Sequence, residues 1–458
     1  MKVEISNEIR IYPFTALPDR AQIELKECFS FANPAYLENE RLGFSNWDTP
    51  ERIIGYRIEG NAMIVPRGAI TRVVGILRSN NVMYGLVDHR RDLPEVSFRF
   101  RGELRDYQIE AVKAMEARDF GVLCAPPGSG KTVAAAFLIS RRRQPALIVV
   151  HTRELADQWI SRLETFLGIP KAGIGMIGGG KVDIGEKVTV GIVNTVYQMA
   201  VDLKEYIGFL IVDECHRCAA RTFSEAVSAF DSRYMLGLSA TPYRRDRMTK
   251  MIGWHLGKLL HTIDEQALVD AGHILKAEVV TRRTDFLTRR DPRTEYSTML
   301  SELTGDFDRN NLIANDVARE AGNGGGVCLV LTDRKNHAET LLDLLASRGV
   351  RGDLLTGDLP PSERRRVVED LNAGRVNVLL ATGQLIGEGF DCPALSTLFL
   401  ATPIKFDGRL LQYLGRVLRP APGKSEARVY DYLDDNVGVL ASAARRRQEV
   451  YARKDTYR

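Results

Sequence analysis

The segment Ala125–Thr132, APPGSGKT, carries residue types that bind phosphate groups. It follows the apolar run GVLCA and opens the helical segment TVAAAFLIS, a placement that predicts a strand, a loop and the start of a helix. Glycines in such a loop let backbone amides turn inward, and the helix N-terminus adds partial positive charge. Lys131 would reach the β- and γ-phosphates, and the Thr132 hydroxyl would ligate Mg²⁺. Ala125 replaces the first glycine of the general pattern. The predicted triphosphate contacts are Pro127, Gly128, Ser129, Gly130, Lys131 and Thr132.

Two carboxylates, Asp213 and Glu214, follow the apolar run FLIV in the segment VDECH. At the end of a strand, Asp213 can hold Mg²⁺ through its water shell, and Glu214 can orient or deprotonate the attacking water. Such a pair on its own is more often a surface charge. Together with the phosphate loop, it predicts hydrolysis of a nucleoside triphosphate.

Short runs rich in Val, Ile and Leu recur from Gly121 onward, separated by longer segments of helical period. The first set is GVLCA, ALIVV, VTVGIV, FLIVD and YMLGLSA, and a second set is GVCLVL, VNVLLAT, STLFLA and RVYDYL. This alternation is typical of parallel sheets flanked by helices. We therefore expect an α/β protein with a first lobe at 99–262 and a second lobe at 263–458 that ends in a basic helix. Alternating apolar positions in residues 1–98 predict a small mixed α/β accessory domain before them.

The composition, 44% hydrophobic and 27% charged over 458 residues, is that of a globular chain. Its apolar runs are far shorter than the roughly 20 residues that span a bilayer, and the start lacks a secretory signal, so we expect no membrane association and a cytoplasmic location. The CxxC of Cys215 and Cys218 lacks the further ligands of a zinc site. The last 18 residues carry six Arg or Lys against two acids, which equals the net charge of +4, so nucleic-acid contact must be local.

In chain order, LRDYQ, APPGSGKT, VDECH and SATP resemble the motifs of helicase superfamily 2. Four further segments look like its nucleic-acid and second-lobe motifs: HTRELADQW (151–159), GIVNTVYQ (191–198), ATGQLIGEGFDCP (381–393) and QYLGRVLRP (412–420). The resemblance covers about residues 103–433 and is greatest to XPB-like and phage UvsW-like DNA helicases and to restriction-enzyme motor subunits. It implies two RecA-like lobes in tandem that use ATP to move on nucleic acid. The Arg-Glu-Asp element of XPB proteins is represented only by Arg245 and Asp246.

The resemblance also implies nucleotide contacts outside the phosphate loop. Gln108 would contact adenine through a bidentate amide, with Arg105 nearby, which suits the paired donor and acceptor of that base. In the second lobe, Gln412 would lie near the γ-phosphate, and Asp391 would accept from the ribose, with Gly389 allowing close approach.

Two arginines, Arg416 and Arg419, lie three positions apart, which on a helix places them on one face. Approaching from the second lobe, they would stabilise charge on the transferring phosphoryl group, so hydrolysis would depend on lobe closure. The alternative is a solvated basic helix edge.

The nucleic-acid contacts expected by motif are Thr152, Arg153, Thr195 and Thr382. Hydroxyl and basic groups suit a phosphate backbone rather than base edges, so binding is expected to be independent of base sequence and sensitive to salt. Ser239 and Thr241 would relay the state of the phosphate site to the track, or cap the preceding strand.

The segment after SATP mixes basic and aromatic residues: Tyr243, Arg244, Arg245, Trp254 and His255. It would either grip bases or pack as an amphipathic segment with its charges outside. Residues 1–98 offer a similar choice between a DNA-binding or damage-sensing domain and a structural cap on the first lobe.

These features favour a monomeric ATP-dependent helicase or translocase that runs 3′ to 5′ on single-stranded or forked DNA, in repair, recombination or defence. RNA is the less favoured track. Two other hypotheses stay open: a duplex-DNA translocase of a restriction-like system, and a clamp whose ATPase only switches its grip. The chain has no evident nuclease residues outside the motor motifs, so any cutting would come from a nuclease partner.

Overall fold

The computed structural model describes residues 1–216, 221–240, 248–292, 294–324, 326–382, 392–403, 407–421, 424 and 426–452. They divide into two units, Met1–Ala125 with Gly130–Ile263, and Pro126–Ser129 with Asp264–Arg458. The first unit therefore contains the accessory domain together with the first lobe, and most of the second unit is the second lobe.

Residues 1–98 form a mixed α/β domain. Its elements are β1 (Lys2–Ile5), β2 (Glu8–Tyr12), α1 (Asp19–Cys28), β3 (Ser30–Ala32), α2 (Pro34–Leu42), β4 (Arg52–Ile54), β5 (Arg57–Glu59), β6 (Ala62–Pro66), α3 (Ile70–Ser79) and β7 (Gly85–Asp88). Strands β5, β6, β2, β1 and β7 form one sheet in that order, and β3 pairs with β4. Ile9 and Ile11 alternate with polar residues along β2 and share an apolar core with Leu25 of α1 and Leu77 of α3.

The first lobe is an eight-stranded sheet with helices on its faces. Its elements are α4 (Asp106–Glu116), β8 (Phe120–Cys124), α5 (Lys131–Arg142), β9 (Ala146–Val150), α6 (Arg153–Leu167), β10 (Ile174–Gly178), β11 (Lys181–Val182), β12 (Val188–Ile192), α7 (Val193–Leu203), β13 (Phe209–Val212), α8 (Arg221–Ser228), β14 (Tyr234–Ser239), α9 (Thr249–Leu256) and β15 (Leu259–Thr262). The strand order is β11-β10-β12-β9-β13-β14-β8-β15, and only the edge strand β11 pairs antiparallel. The loops after β12, β9, β13, β14 and β8 therefore share one edge of the sheet.

The accessory domain packs directly on the first lobe. Trp254 of α9 is 1% exposed, and its ring centroid lies 5.9 Å from that of Phe29 and 5.4 Å from that of Phe31. The buried Arg67 donates from Nη1 to the carbonyl oxygen of Ser232 at 2.6 Å. A side chain of the lobe thus completes the core of the domain. Both interpretations of residues 1–98, DNA-binding domain and structural cap, stay predictions.

The second lobe is a six-stranded sheet in which every pairing is parallel. Its elements are α10 (Glu265–Asp270), β16 (Ala277–Arg283), α11 (Tyr296–Gly305), α12 (Phe307–Gly322), β17 (Val327–Thr332), α13 (Lys335–Ala346), β18 (Gly352–Leu355), α14 (Pro361–Asn372), β19 (Val378–Thr382), β20 (Leu395–Leu400), α15 (Asp407–Val417), β21 (Ala427–Leu433) and α16 (Gly438–Ala452). The strand order is β16-β21-β20-β17-β19-β18. The predicted α/β fold with two parallel-sheet lobes is confirmed.

Candidate ATP site and nucleic-acid edge

The phosphate loop joins β8 to α5 and depends on two glycines. Gly128 and Gly130 have φ of +86° and +80°, a backbone region that residues with a side chain rarely adopt. A Cβ on Gly130 would also clash with Nε2 of Gln108. The start of the loop is attached to β14, because the Ala125 amide donates to the Ser239 carbonyl oxygen at 2.9 Å. Helix α5 begins at Lys131, directly after the loop, so its N-terminus adds partial positive charge there.

Lys131 is the first residue of α5, and its side chain is largely buried. Its Nζ lies 3.3 Å from Oε1 of Glu214. Burial alone would lower the pKa of Lys131, but Glu214 and Asp213 outweigh burial and raise it. Lys131 therefore presents a fixed positive charge at the end of the loop.

Both predicted carboxylates lie at the end of β13, next to the strand that precedes SATP. Oδ1 of Asp213 accepts from the Glu214 amide at 2.9 Å, and Oδ2 accepts from the Trp159 indole at 2.8 Å. Burial and the neighbouring Glu214 raise the pKa of Asp213. For Glu214, burial favours the neutral form, but Lys131 and His216 together outweigh it and lower the pKa. Glu214 has φ of +49°, so the backbone is strained beside the carboxylates.

A chain of polar contacts joins these acids to the SATP segment. Nδ1 of His216 lies 3.2 Å from Oε2 of Glu214 and 3.3 Å from the buried hydroxyl of Ser239. The chain Lys131–Glu214–His216–Ser239 is thus continuous, and it ends at one of the two residues predicted to relay the state of the site. The other predicted relay residue, Thr241, lies outside the described residues.

Gln108 is 5% exposed and forms part of the start of α4. Its Oε1 accepts from the Arg105 amide at 3.0 Å, while the Gln108 amide donates to the Arg105 carbonyl oxygen at 2.8 Å. The structure places Gln108 beside Gly130 and pairs it with Arg105, and it adds a capping role that the sequence did not predict. The signal in the sequence is a Gln three positions after the N-cap residue, a spacing that is typical of a capping box.

The predicted track residues of the first lobe begin two neighbouring helices. Thr152 is the N-cap of α6, where its hydroxyl accepts from the Leu155 amide at 3.3 Å, and Arg153 follows it and pairs with Asp157 at 3.2 Å. Thr195 lies in the first turn of α7. Because β9 and β12 are paired parallel strands, these helix N-termini share the sheet edge that carries the acids.

In the second lobe, Arg416 lies in the last turn of α15, and Arg419 follows the end of that helix. The prediction that both lie on one helix is wrong for Arg419, because α15 ends at Val417. Pro420 follows Arg419, and a proline disfavours helical backbone at the residue before it. Lys424, which the sequence did not single out, donates to the carbonyl oxygens of Val417 and Arg419.

The remaining predicted second-lobe contacts are partly described. Thr382 ends β19 and is half-buried. The Gln412 side chain, Gly389 and Asp391 lie outside the described residues, so their predicted roles stay predictions.

The interpretation of Trp254 and His255 as base-gripping residues is wrong. Trp254 is buried against the accessory domain, and Nδ1 of His255 lies 2.9 Å from the Ser228 hydroxyl. Burial lowers the pKa of His255 to about 4. Both residues pack, as the alternative interpretation predicted, and Tyr243, Arg244 and Arg245 lie outside the described residues.

The described residues contain neither a metal-binding cluster nor a membrane-spanning helix. No group of three or more His, Cys, Asp or Glu residues among them could hold a metal ion. No helix in the described part of the chain is long and apolar enough to cross a membrane.

Two family models match the chain. The model described as type III restriction enzyme, res subunit, matches residues 101–244, which include the phosphate loop and both carboxylates. The model described as helicase conserved C-terminal domain matches residues 311–421, which include Arg416 and Arg419. The chain is an ATP-dependent helicase. Its motifs resemble those of helicase superfamily 2.

Relatives of the helicase include phage and archaeal proteins. It is 27% identical over 371 residues to "Probable helicase D10" of Escherichia phage T5, across 80% of this chain and 78% of the relative. It is 28% identical over 360 residues to "DNA 3'-5' translocase XPB2" of Sulfurisphaera tokodaii, across 71% of this chain and 81% of the relative. The structure of S. cerevisiae Dbp5 bound to RNA and ADP BeF3 is similar in fold, with a TM-score of 0.52 at 20% identity, across 74% of this chain and 86% of that one.

The residues of the helicase fit the triphosphate of ATP. Gly128 and Gly130 carry no side chain, which lets the loop backbone approach phosphates closely at these two positions, and the largely buried Lys131 supplies positive charge next to them. The Asp213 carboxylate and the Thr132 hydroxyl are oxygen ligands, the type that Mg²⁺ prefers.

Proposed function

We propose that this helicase moves 3′ to 5′ along DNA and hydrolyses ATP, with Mg²⁺, at the cluster of Lys131, Asp213 and Glu214. The observation that carries the proposal is the continuous contact chain from Lys131 through Glu214 and His216 to Ser239. This chain links the proposed catalytic acid to Ser239, one of the two residues proposed to relay the state of the phosphate site.

Each residue of the cluster has a defined part in the proposal. Lys131 holds a positive charge against the β- and γ-phosphates, and Asp213 is oriented by two hydrogen bonds to act on the metal's water shell. Mg²⁺ when bound would neutralise charge that builds up on the phosphate oxygens. Glu214, kept ionised by Lys131, accepts a hydrogen bond from the attacking water and orients it.

The second lobe is proposed to complete hydrolysis through Arg416 and Arg419. A guanidinium that approaches a transferring phosphoryl group contributes about 10³ to 10⁵ in rate. Lys424 supports this role, since its contacts with the carbonyl oxygens of Val417 and Arg419 fix the chain that carries both arginines. Gln412 and Asp391 are proposed to contact the γ-phosphate and the ribose.

DNA is proposed to lie along the edge formed by Thr152, Arg153 and Thr195, with Thr382 contributing from the second lobe. Helix N-termini and hydroxyls bind phosphate oxygens without reading bases, so affinity should fall with salt and vary little with sequence. The 3′ to 5′ direction is supported by the name of the Sulfurisphaera relative, a DNA 3'-5' translocase.

The direct test measures ATP hydrolysis and strand separation by the full chain on single-stranded, duplex and forked DNA and on RNA. We expect DNA to stimulate hydrolysis more than RNA does, and forked DNA with a 3′ single-stranded arm to be unwound. Equal stimulation by RNA would contradict the choice of track, and unwinding only from a 5′ arm would contradict the direction.

A second candidate is a motor that pumps duplex DNA without separating its strands. The match of residues 101–244 to the res subunit of type III restriction enzymes favours it. Displacement of a triplex-forming strand together with failure to unwind a fork would select this candidate.

A further inference from the structure

Trp159 makes a buried contact with the acid proposed to hold the metal. It is 2% exposed, and its Nε1 donates to Oδ2 of Asp213 at 2.8 Å. An indole N–H can only donate a hydrogen bond, so Oδ2 of Asp213 must be the acceptor in this contact. The other oxygen, Oδ1, accepts from the Glu214 amide. The carboxylate of Asp213 is therefore held from two sides, once by the amide of the residue that follows it and once by α6.

Helix α6 also begins with the proposed DNA contacts. Thr152 is the N-cap of α6 and Arg153 is its first residue. Trp159 follows two turns later, and at a rise of about 1.5 Å per residue it lies roughly 10 Å from Thr152 along the same helix. Ala156, Trp159 and Leu163 share the buried face of α6, at the spacing of three and four that aligns side chains on a helix. A shift of the helix start would therefore move the indole and the carboxylate together.

We propose that Trp159 is a positioning residue that couples DNA contact at the start of α6 to the orientation of the Asp213 carboxylate. The proposal rests on the proposed function, because it gives the DNA edge and the ATP site one shared element. It explains how contact with the track would stimulate hydrolysis without any track residue touching the nucleotide.

The test compares two tryptophan-to-phenylalanine variants that lose the same N–H group. Trp159→Phe keeps an aromatic ring in the core but removes the donor to Asp213. Trp254→Phe is the matched control, since Trp254 is equally buried and donates to the Cys28 carbonyl oxygen at 3.3 Å, within the contact with the accessory domain. Loss of a partner that orients a metal-binding carboxylate typically costs about 10- to 100-fold.

For Trp159→Phe we expect DNA stimulation of ATP hydrolysis to fall by about tenfold or more, and the Mg²⁺ concentration for half-maximal rate to rise, with the melting temperature near that of Trp254→Phe. Trp254→Phe should keep native stimulation and native Mg²⁺ dependence. Native values in Trp159→Phe would overturn the coupling. A native chain without any DNA stimulation would instead refute the proposed function, so the two failures are distinguishable.

A second measurement keeps Trp159 in place, so it does not depend on whether Trp159→Phe folds. The chain has three tryptophans, so Trp47→Phe with Trp254→Phe leaves Trp159 as the only indole. We expect its emission to change when a single-stranded oligonucleotide of mixed sequence is added, and to change again with Mg²⁺ and a non-hydrolysable ATP analogue. Emission that ignores the oligonucleotide, in a chain whose ATPase it stimulates, would also overturn the coupling.

Discussion

Lys131 in the first unit and Arg309 in the second are both cations beside carboxylates, but their surroundings differ. The side chain of Arg309 is 1% exposed, as is that of Asp434, and it donates to the two oxygens of Asp434 at 2.9 and 3.3 Å and to the carbonyl oxygen of Ala401 at 2.7 Å. The side chain of Lys131 is 14% exposed and lies 3.3 Å from one oxygen of Glu214, with Asp213 adjacent. Arg309 is thus paired with one acid, whereas Lys131 lies beside two.

The difference separates a pair that fixes the fold from a cluster whose charges suit ligand binding. Arg309 and Asp434 satisfy each other's hydrogen bonds, which is the condition for a stable buried pair. At the phosphate loop, two acids stand against one lysine, the pKa of Asp213 is raised, and the backbone of Glu214 is strained. Strain and perturbed acids in one place are typical of a functional site.

The largest effect is expected from Lys131→Ala, which should remove measurable DNA-stimulated ATP hydrolysis because it deletes the positive charge proposed to hold the β- and γ-phosphates. The side chains of Lys131 and Glu214 are 14% and 15% exposed, so the free energy of unfolding should fall by less than the roughly 3 to 5 kcal/mol expected when a fully buried pair is broken. Lys113→Ala, on the exposed face of α4, is the control and should keep activity. Native turnover in Lys131→Ala would contradict the assignment of the site.

Arg419→Ala should lower turnover by about 10³-fold while ATP binding is retained, because an arginine of this kind acts on the transition state rather than on the bound nucleotide. Binding of a fluorescent ATP analogue and single-turnover hydrolysis separate the two steps. Arg445→Ala, on an exposed position of α16, serves as control. A parallel loss of nucleotide affinity would argue against the proposed role.

The main effect of Arg309→Leu should be a loss of stability, whereas the main effect of Lys131→Ala is expected on ATP hydrolysis. It leaves the buried Asp434 without its cation, and breaking such a pair costs about 3 to 5 kcal/mol of stability. Denaturant unfolding measures the loss, with Arg319→Leu as control, since Arg319 lies on the same helix but is 53% exposed. A loss below that of the control would show that the pair does not fix the fold.

A smaller effect is expected from His337, which lies near Arg309. Its Nδ1 lies 2.8 Å from the Thr332 hydroxyl and its Nε2 lies 2.9 Å from Oδ1 of Asn310. Burial and Arg309 lower the pKa of His337 to about 3 from its usual 6.5.

The folded state therefore keeps His337 neutral, while the unfolded chain binds a proton as the pH falls below 6.5. Stability is retained above that value and lost towards pH 3, by about 2 kcal/mol at pH 5. Denaturant unfolding of the native chain and of His337→Gln should show a smaller loss between pH 8 and pH 5 for the variant. Equal slopes would contradict the assignment.

Much of the fold could be predicted because parallel strands buried on both faces are continuous apolar runs. ALIVV forms β9, with every residue buried, and the other runs from GVLCA to RVYDYL also form strands. Strands β10 and β18 are not among the predicted runs. Ile174–Gly178 is interrupted by glycines and Gly352–Leu355 is four residues with an aspartate, so their pairing with β12 and β19 decides their structure.

The residues of the candidate site also fall into two groups, those that the sequence predicts and those that it does not. Lys131, Asp213 and Glu214 belong to short local motifs, and their spacing within the sequence indicates their role. Trp159 and Lys424 take part through contacts that the sequence pattern does not encode, a hydrogen bond across 54 positions in the first case. The choice that the sequence left open for Trp254 has the same origin, since its partners lie more than two hundred positions away.

The most direct test of the account is the rate of ATP hydrolysis by the native chain on single-stranded DNA of increasing length at saturating DNA. A motor translocates further on longer strands and dissociates less often per ATP consumed, so the rate should rise with length towards a plateau. A rate that is stimulated by DNA but independent of its length would contradict movement and favour an ATP-switched clamp.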